Sequence, residues 1–181
     1  MKMNLPNKIT LFRVCLIPFF LLFYLYAPLH ETAGGFIPLI LFIIASASDA
    51  LDGYIARKRH LITNFGKLMD PLADKLLVCA ALVAMTGRGV LPAWVTILII
   101  SREFAISGLR QLALERNIVL AASFWAKIKT ISQMVMVIFL LVNWPFDITV
   151  ISWILIITAS TLTVLSAAEY IIKNKEVFTE K

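Results

Sequence analysis

Six stretches of 12 or more residues in this 181-residue chain contain no charged residue: 14–29, 32–48, 76–87, 89–101, 130–146 and 148–168. The third and fourth are clearly the shortest, and the last is the longest. A helix crossing about 30 Å of hydrocarbon needs about 20 residues at about 1.5 Å each. In lipid every backbone polar group must be satisfied internally, so helices are the natural spanning element for such windows. The pattern predicts an all-α integral membrane protein with six transmembrane helices. Composition agrees: 60% of the residues are hydrophobic and 15% charged, against about 45–50% and about 25% in soluble domains. A soluble globular domain, a disordered tail and a fibrous protein are excluded.

Turn signals separate the windows. Ala33-Gly34-Gly35 with Pro38 follows the first, Gly87-Arg88-Gly89 with Pro92 joins the third to the fourth, and Asn143-Trp144-Pro145-Phe146-Asp147 joins the fifth to the sixth. Neither an internal repeat nor a Pro/Ser-rich linker divides the chain, so residues 1–181 read as a single membrane domain. Ahead of the first window, Asn7 and Thr10 are placed to cap a short N-terminal amphipathic helix, with Lys8 and Arg13 meeting lipid phosphates. Lys2 and Lys8 imitate a signal-peptide n-region, but no A-x-A site follows, so the first helix is expected to be retained.

Basic residues set the orientation. Of the 17 Lys and Arg, all but Arg88 fall on one side of the predicted spans. The positive-inside rule makes that side cytoplasmic, with both termini inside. The net charge of +6 is then explained by anionic lipid, and no nucleic-acid partner is expected. Cys15 and Cys79 sit in apolar runs and read as inert thiols, and His30 and His60 as interface residues.

The third and fourth windows are too short to span alone. The third must extend back through Lys75, Asp74 and Asp70, and the fourth forward through Arg102 and Glu103 towards Arg110. The second ends in Asp49 and Asp52. All these extensions point to the cytoplasmic side, which predicts a polar chamber lined by acids from helices two and three and bases from helix four. An ionised residue in a membrane helix costs about 2.5–3.5 kcal/mol on insertion scales, so four aspartates there demand compensation. Ion pairs with Lys75, Arg57 and Arg102 are one solution. Divalent cations are the other, and spacing favours them: Asp49 and Asp52 are i, i+3, and Asp70 and Asp74 are i, i+4, each pair on one helix face. Oxygen-only ligands suit Mg²⁺ or Mn²⁺, and two such ions neutralise four carboxylates.

The run Asp49-x2-Asp52-Gly53-x2-Ala56-Arg57-x8-Gly66-x3-Asp70-x3-Asp74 resembles the signature of the CDP-alcohol phosphotransferase family, with every fixed position from Asp49 to Asp74 present. The resemblance implies transfer of a phosphoalcohol from a CDP-linked donor to an acceptor hydroxyl, with release of CMP. It implies two divalent ions, Mg²⁺ or Mn²⁺, on Asp49, Asp52, Asp70 and Asp74, and Asp74 as the catalytic base. It places Asp52, Gly53, Ala56, Arg57 and Gly66 at the donor nucleotide and implies a homodimer. The segment from Ser101 to Arg110, the opening Asn4–Arg13 and Lys127-Ile128-Lys129-Thr130 resemble the branch that uses CDP-diacylglycerol and sn-glycerol 3-phosphate.

A charged acceptor also follows from the bases. Arg102, Arg110, Lys127 and Lys129 flank the chamber, and Arg and Lys are suited to phosphate; Lys127 and Lys129 also read as inside-positive anchors. Asn7 and Thr10 are further candidate donor contacts. Other readings remain: inositol phosphate, serine or phosphatidylglycerol as acceptor, a small transporter with an acidic relay, or a scaffold subunit. The expected location is a bacterial inner membrane, with the active site facing the cytoplasm.

Overall fold

The computed structural model describes residues 5–26, 36–48, 64–115, 124–142, 144 and 146–174; for helical residues 5–7, 64–71, 74, 114 and 115 it describes the backbone. The described residues form helices and no strand: α1 (Leu5–Tyr26), α2 (Phe36–Ser48), α3 (Asn64–Gly87), α4 (Ala93–Glu115), α5 (Phe124–Leu141) and α6 (Thr149–Lys173). By length and composition Lys8–Tyr26, Phe124–Leu141 and Thr149–Lys173 can cross a membrane. The two short windows do extend through their charged flanks. α3 has 24 residues and α4 has 23, so each is about 35 Å long at about 1.5 Å per residue.

The short amphipathic helix expected ahead of the first span is not a separate element. α1 is unbroken from Leu5 to Tyr26 and passes through Pro18. Pro6 lies in its first turn, where the missing N–H costs nothing, and nothing between Asn7 and Arg13 breaks the helix. Thr10 and Arg13 are also buried, at 2% and 0% exposure. Arg13 therefore does not face lipid phosphates.

The chain groups into two compact units, residues 1–90 with 140–145 and residues 91–139 with 146–181. In the first, α1 packs on α3. The buried positions of α1 are Thr10, Arg13, Ile17, Phe20 and Tyr24, a stripe stepping by three and four residues. Ala73, Leu77, Ala81 and Ala84 are buried on α3. Phe20 stacks on Tyr24 with centroids 5.8 Å apart and meets Phe42 of α2 at 6.0 Å. The Arg88 guanidinium lies 4.9 Å from the Tyr24 ring centroid, which brings the C-terminal ends of α1 and α3 together. Ile17 and Phe20 of α1 and Ala81 and Ala84 of α3 are all buried.

The turn after α3 is a Schellman motif. Gly89 N–H donates to the Thr86 carbonyl at 3.0 Å and Val90 N–H to the Met85 carbonyl at 2.9 Å. Gly89 takes the left-handed conformation this requires, with φ +72°.

In the second unit α4 packs on α6. The buried stripe of α6 is Ile156, Ala159, Ser160, Thr163, Ser166 and Tyr170, so it turns polar towards its C-terminal half. Gln133 of α5 donates to the Thr163 hydroxyl at 3.0 Å. Val150, Ile154, Ile157 and Ile172 stand exposed on α6. An apolar exterior around a small and polar interior is the arrangement lipid favours.

Candidate active site

The aspartates of α3 lie in the first unit. Gly66, Asp70 and Asp74 all lie on α3, and the i, i+4 step puts positions 70 and 74 on one helix face. The described part of α2 ends at Ser48, whose hydroxyl turns back to the Ile44 carbonyl at 2.7 Å. Asp49, Asp52, Gly53, Ala56 and Arg57 follow it and lie outside the described residues. Asn7 is in the first turn of α1.

α1 packs on α3 and buries two polar residues of the N-terminal half, Thr10 and Arg13. A wholly buried arginine, Arg13, was not among the expected site residues. The signal was legible: positions 10, 13, 17, 20 and 24 form one stripe, and two of them are polar.

The predicted acceptor-binding bases of α4 and α5 lie in the second unit. Lys129 of α5 and Arg102 of α4 both donate to Oε1 of Glu103, Arg102 at 3.2 Å. Side-chain exposures are 3% for Lys129, 10% for Arg102 and 18% for Glu103. Of the four predicted acceptor-binding bases, this structure joins Arg102 and Lys129 through a carboxylate. Arg110 lies two turns further along α4 and is exposed, with its Cζ 5.9 Å from the ring centroid of Tyr170. Lys127 is also exposed. Glu103 stands out as a site residue only once α4 and α5 are packed, because adjacent Arg and Glu in a sequence do not reveal a third partner on another helix.

The triad has two positive charges and one negative. In a dry interior a net positive site of this kind attracts an anion, and Arg and Lys supply hydrogen bonds suited to phosphate oxygens.

Residues 3–165 match the CDP-alcohol phosphatidyltransferase family. The chain belongs to that family. It is similar to the CDP-diacylglycerol--glycerol-3-phosphate 3-phosphatidyltransferase of Bacillus subtilis, with 47% identity over 96% of each chain. The protein of the same name from Haemophilus influenzae is 40% identical over 94% of this chain and 93% of its own. A probable phosphatidylglycerophosphate synthase from Mycobacterium tuberculosis is 36% identical over 93% of this chain and 80% of its own. In this CDP-alcohol phosphatidyltransferase the family match covers both the α3 aspartates and the Lys129–Glu103–Arg102 triad.

Proposed function

We propose that this protein transfers the phosphatidyl group of CDP-diacylglycerol to sn-glycerol 3-phosphate, yielding phosphatidylglycerophosphate and CMP. The observation that carries the reading is near full-length similarity to relatives bearing that name. The net positive triad of Arg102, Glu103 and Lys129 supports an acceptor that carries phosphate.

The acceptor hydroxyl oxygen attacks the phosphorus of the phosphatidyl group, and the bond from that phosphorus to the CMP oxygen breaks. Asp74 takes the hydroxyl proton as general base. Arg102, Arg110, Lys127 and Lys129 hold the acceptor phosphate and so orient its hydroxyl. Asp52, Gly53, Ala56, Arg57 and Gly66 hold the donor nucleotide. Thr10, which is buried, and Asn7 a turn before it contact the donor.

The donor set fits hard divalent ions: Asp49, Asp52, Asp70 and Asp74 offer oxygen alone, and Asp70 and Asp74 share a helix face. These four would hold two Mg²⁺ or Mn²⁺ ions. When bound, the ions supply charge neutralisation at the donor pyrophosphate and the departing CMP. The protein acts as a homodimer in a bacterial inner membrane, its six helices spanning, with both termini and the active site on the cytoplasmic side.

The test supplies purified protein with labelled CDP-diacylglycerol and one acceptor at a time: glycerol 3-phosphate, inositol phosphate, serine or phosphatidylglycerol. Turnover with glycerol 3-phosphate is expected. Preference for another acceptor corrects the acceptor alone, whereas no CMP release with any acceptor overturns the transferase reading.

A further inference from the structure

Gln133 of α5 is 5% exposed and carries an amide into the interior of the second unit. The next positions of the same buried stripe, Met136 and Val137, are apolar. An apolar side chain at position 133 would continue that stripe without desolvating an amide, so packing alone does not explain the glutamine. Its partner is Thr163 of α6, also buried, whose hydroxyl accepts from Gln133 Nε2 at 3.0 Å. That hydroxyl gives its one proton to the Ala159 carbonyl at 2.6 Å. Only a donor can therefore meet it from α5, and the amide fits in one orientation.

Lys129 lies four residues before Gln133 on α5, one turn away on the same buried face. These two polar side chains reach different helices. Lys129 pairs with Glu103 of α4, and Gln133 bonds to α6. α4 and α6 themselves pack together. α5 is thus tied to both of them at points one turn apart. In lipid no hydrophobic force drives one helix onto another, so polar bonds between helices weigh heavily in setting their register. Apolar contacts such as those of Met136 and Val137 survive a small slide or rotation of α5. A hydrogen bond with one allowed geometry does not.

We propose that Gln133 is a positioning residue for the phosphorylated acceptor: its bond to Thr163 fixes the rotation and depth of α5 and so holds the Lys129 ammonium where the acceptor phosphate docks. This rests on the proposed reading of glycerol 3-phosphate as acceptor and adds to it a residue that touches no substrate. Gln133 acts through Lys129, and the lipid donor does not sense it.

The experiment uses the full-length protein. Gln133→Met combined with Thr163→Val removes both partners and strands no buried polar group, a replacement that is nearly neutral or stabilising. Its Tm is expected to match or exceed that of the wild type. Calorimetry is expected to show glycerol 3-phosphate binding weakened about tenfold, the scale of one hydrogen bond to a charged group. KM for this acceptor rises in parallel, kcat changes less, and the CDP-diacylglycerol KM holds. Thr163→Ser keeps the hydroxyl and is expected to bind as wild type does, whereas Thr163→Val alone binds as weakly as the double variant. A bond that serves stability alone moves Tm and leaves Kd untouched, so a double variant with wild-type Kd overturns the proposal. Should the double variant not fold, equal Kd in Thr163→Ser and Thr163→Val overturns it. Labelling of Lys129 by an amine-specific reagent, read by mass spectrometry, needs no substrate and is expected to be severalfold faster in the double variant. A wild type that binds no glycerol 3-phosphate rejects the acceptor reading alone; unchanged labelling of Lys129 then overturns the positioning role as well.

Discussion

Lys129 of α5 and Glu103 of α4 form an ion pair in which the lysine is 3% exposed and the glutamate 18%. Glu103 also accepts from Arg102 through the same oxygen, so one carboxylate holds two cations of different helices. Removing one member of a buried pair leaves its partner uncompensated. Glu103→Gln is therefore expected to destabilise the protein by about 3–5 kcal/mol, read from unfolding in detergent. Glu103→Gln with Lys129→Met is expected to recover part of that loss. A double variant no more stable than Glu103→Gln would show that the two residues are not coupled.

Asp74 is assigned the acceptor proton. Asp74→Asn keeps the shape of the side chain and removes the base, and general-base catalysis is worth roughly 10²–10⁴-fold. CMP release is expected to fall by at least about 100-fold, with helical circular dichroism unchanged. Turnover within a factor of a few of wild type would remove Asp74 from the role.

Chelation tests the oxygen ligand set. Dialysis against EDTA is expected to abolish turnover, and Mg²⁺ or Mn²⁺ to restore it. Zn²⁺ is expected to restore little, because Asp49, Asp52, Asp70 and Asp74 offer no nitrogen or sulfur. Full activity after chelation would leave those aspartates to ion pairing.

Gly89 isolates a backbone effect. Its φ is +72°, and a Cβ built there meets nothing within 4 Å, so substitution strains the turn without a clash. Gly89→Ala is expected to cost about 1 kcal/mol and Gly89→Asn less, since asparagine tolerates the left-handed region better. Equal stability of both variants and wild type in thermal unfolding would contradict the Schellman turn.

Asp147 gives a pH dependence. The Thr149 hydroxyl and backbone N–H hold its carboxyl below the usual value, the backbone bond at 2.9 Å. A lowered folded pKa means stability that is present above the unfolded value of about 3.9 and is lost as pH falls through the folded one. The Tm difference between wild type and Asp147→Ala is expected to be constant at neutral pH and to shrink in acid. A difference independent of pH would exclude the ionised carboxylate as the acceptor of the Thr149 bonds.

Much of this architecture was legible in the sequence. Charge-free windows marked the helices because a membrane interior excludes charge. The short windows at 76–87 and 89–101 marked where α3 and α4 carry their charges, because a helix must be long enough to cross. The spacing of the aspartates placed Asp70 and Asp74 on one face, because the helical period is fixed by backbone geometry. Asn7 to Arg13 misled, since a polar segment next to a span looks like a surface helix until Thr10 and Arg13 are seen on the buried stripe of α1.

Tertiary structure decided the partners. Nothing in the spacing of Arg102, Glu103 and Lys129 states that one carboxylate joins both bases, and nothing in the motif pairs Gln133 with Thr163. Periodicity reports which residues share a face of one helix. Which faces of different helices meet depends on how large and small side chains interlock, and that is settled only when the helices pack.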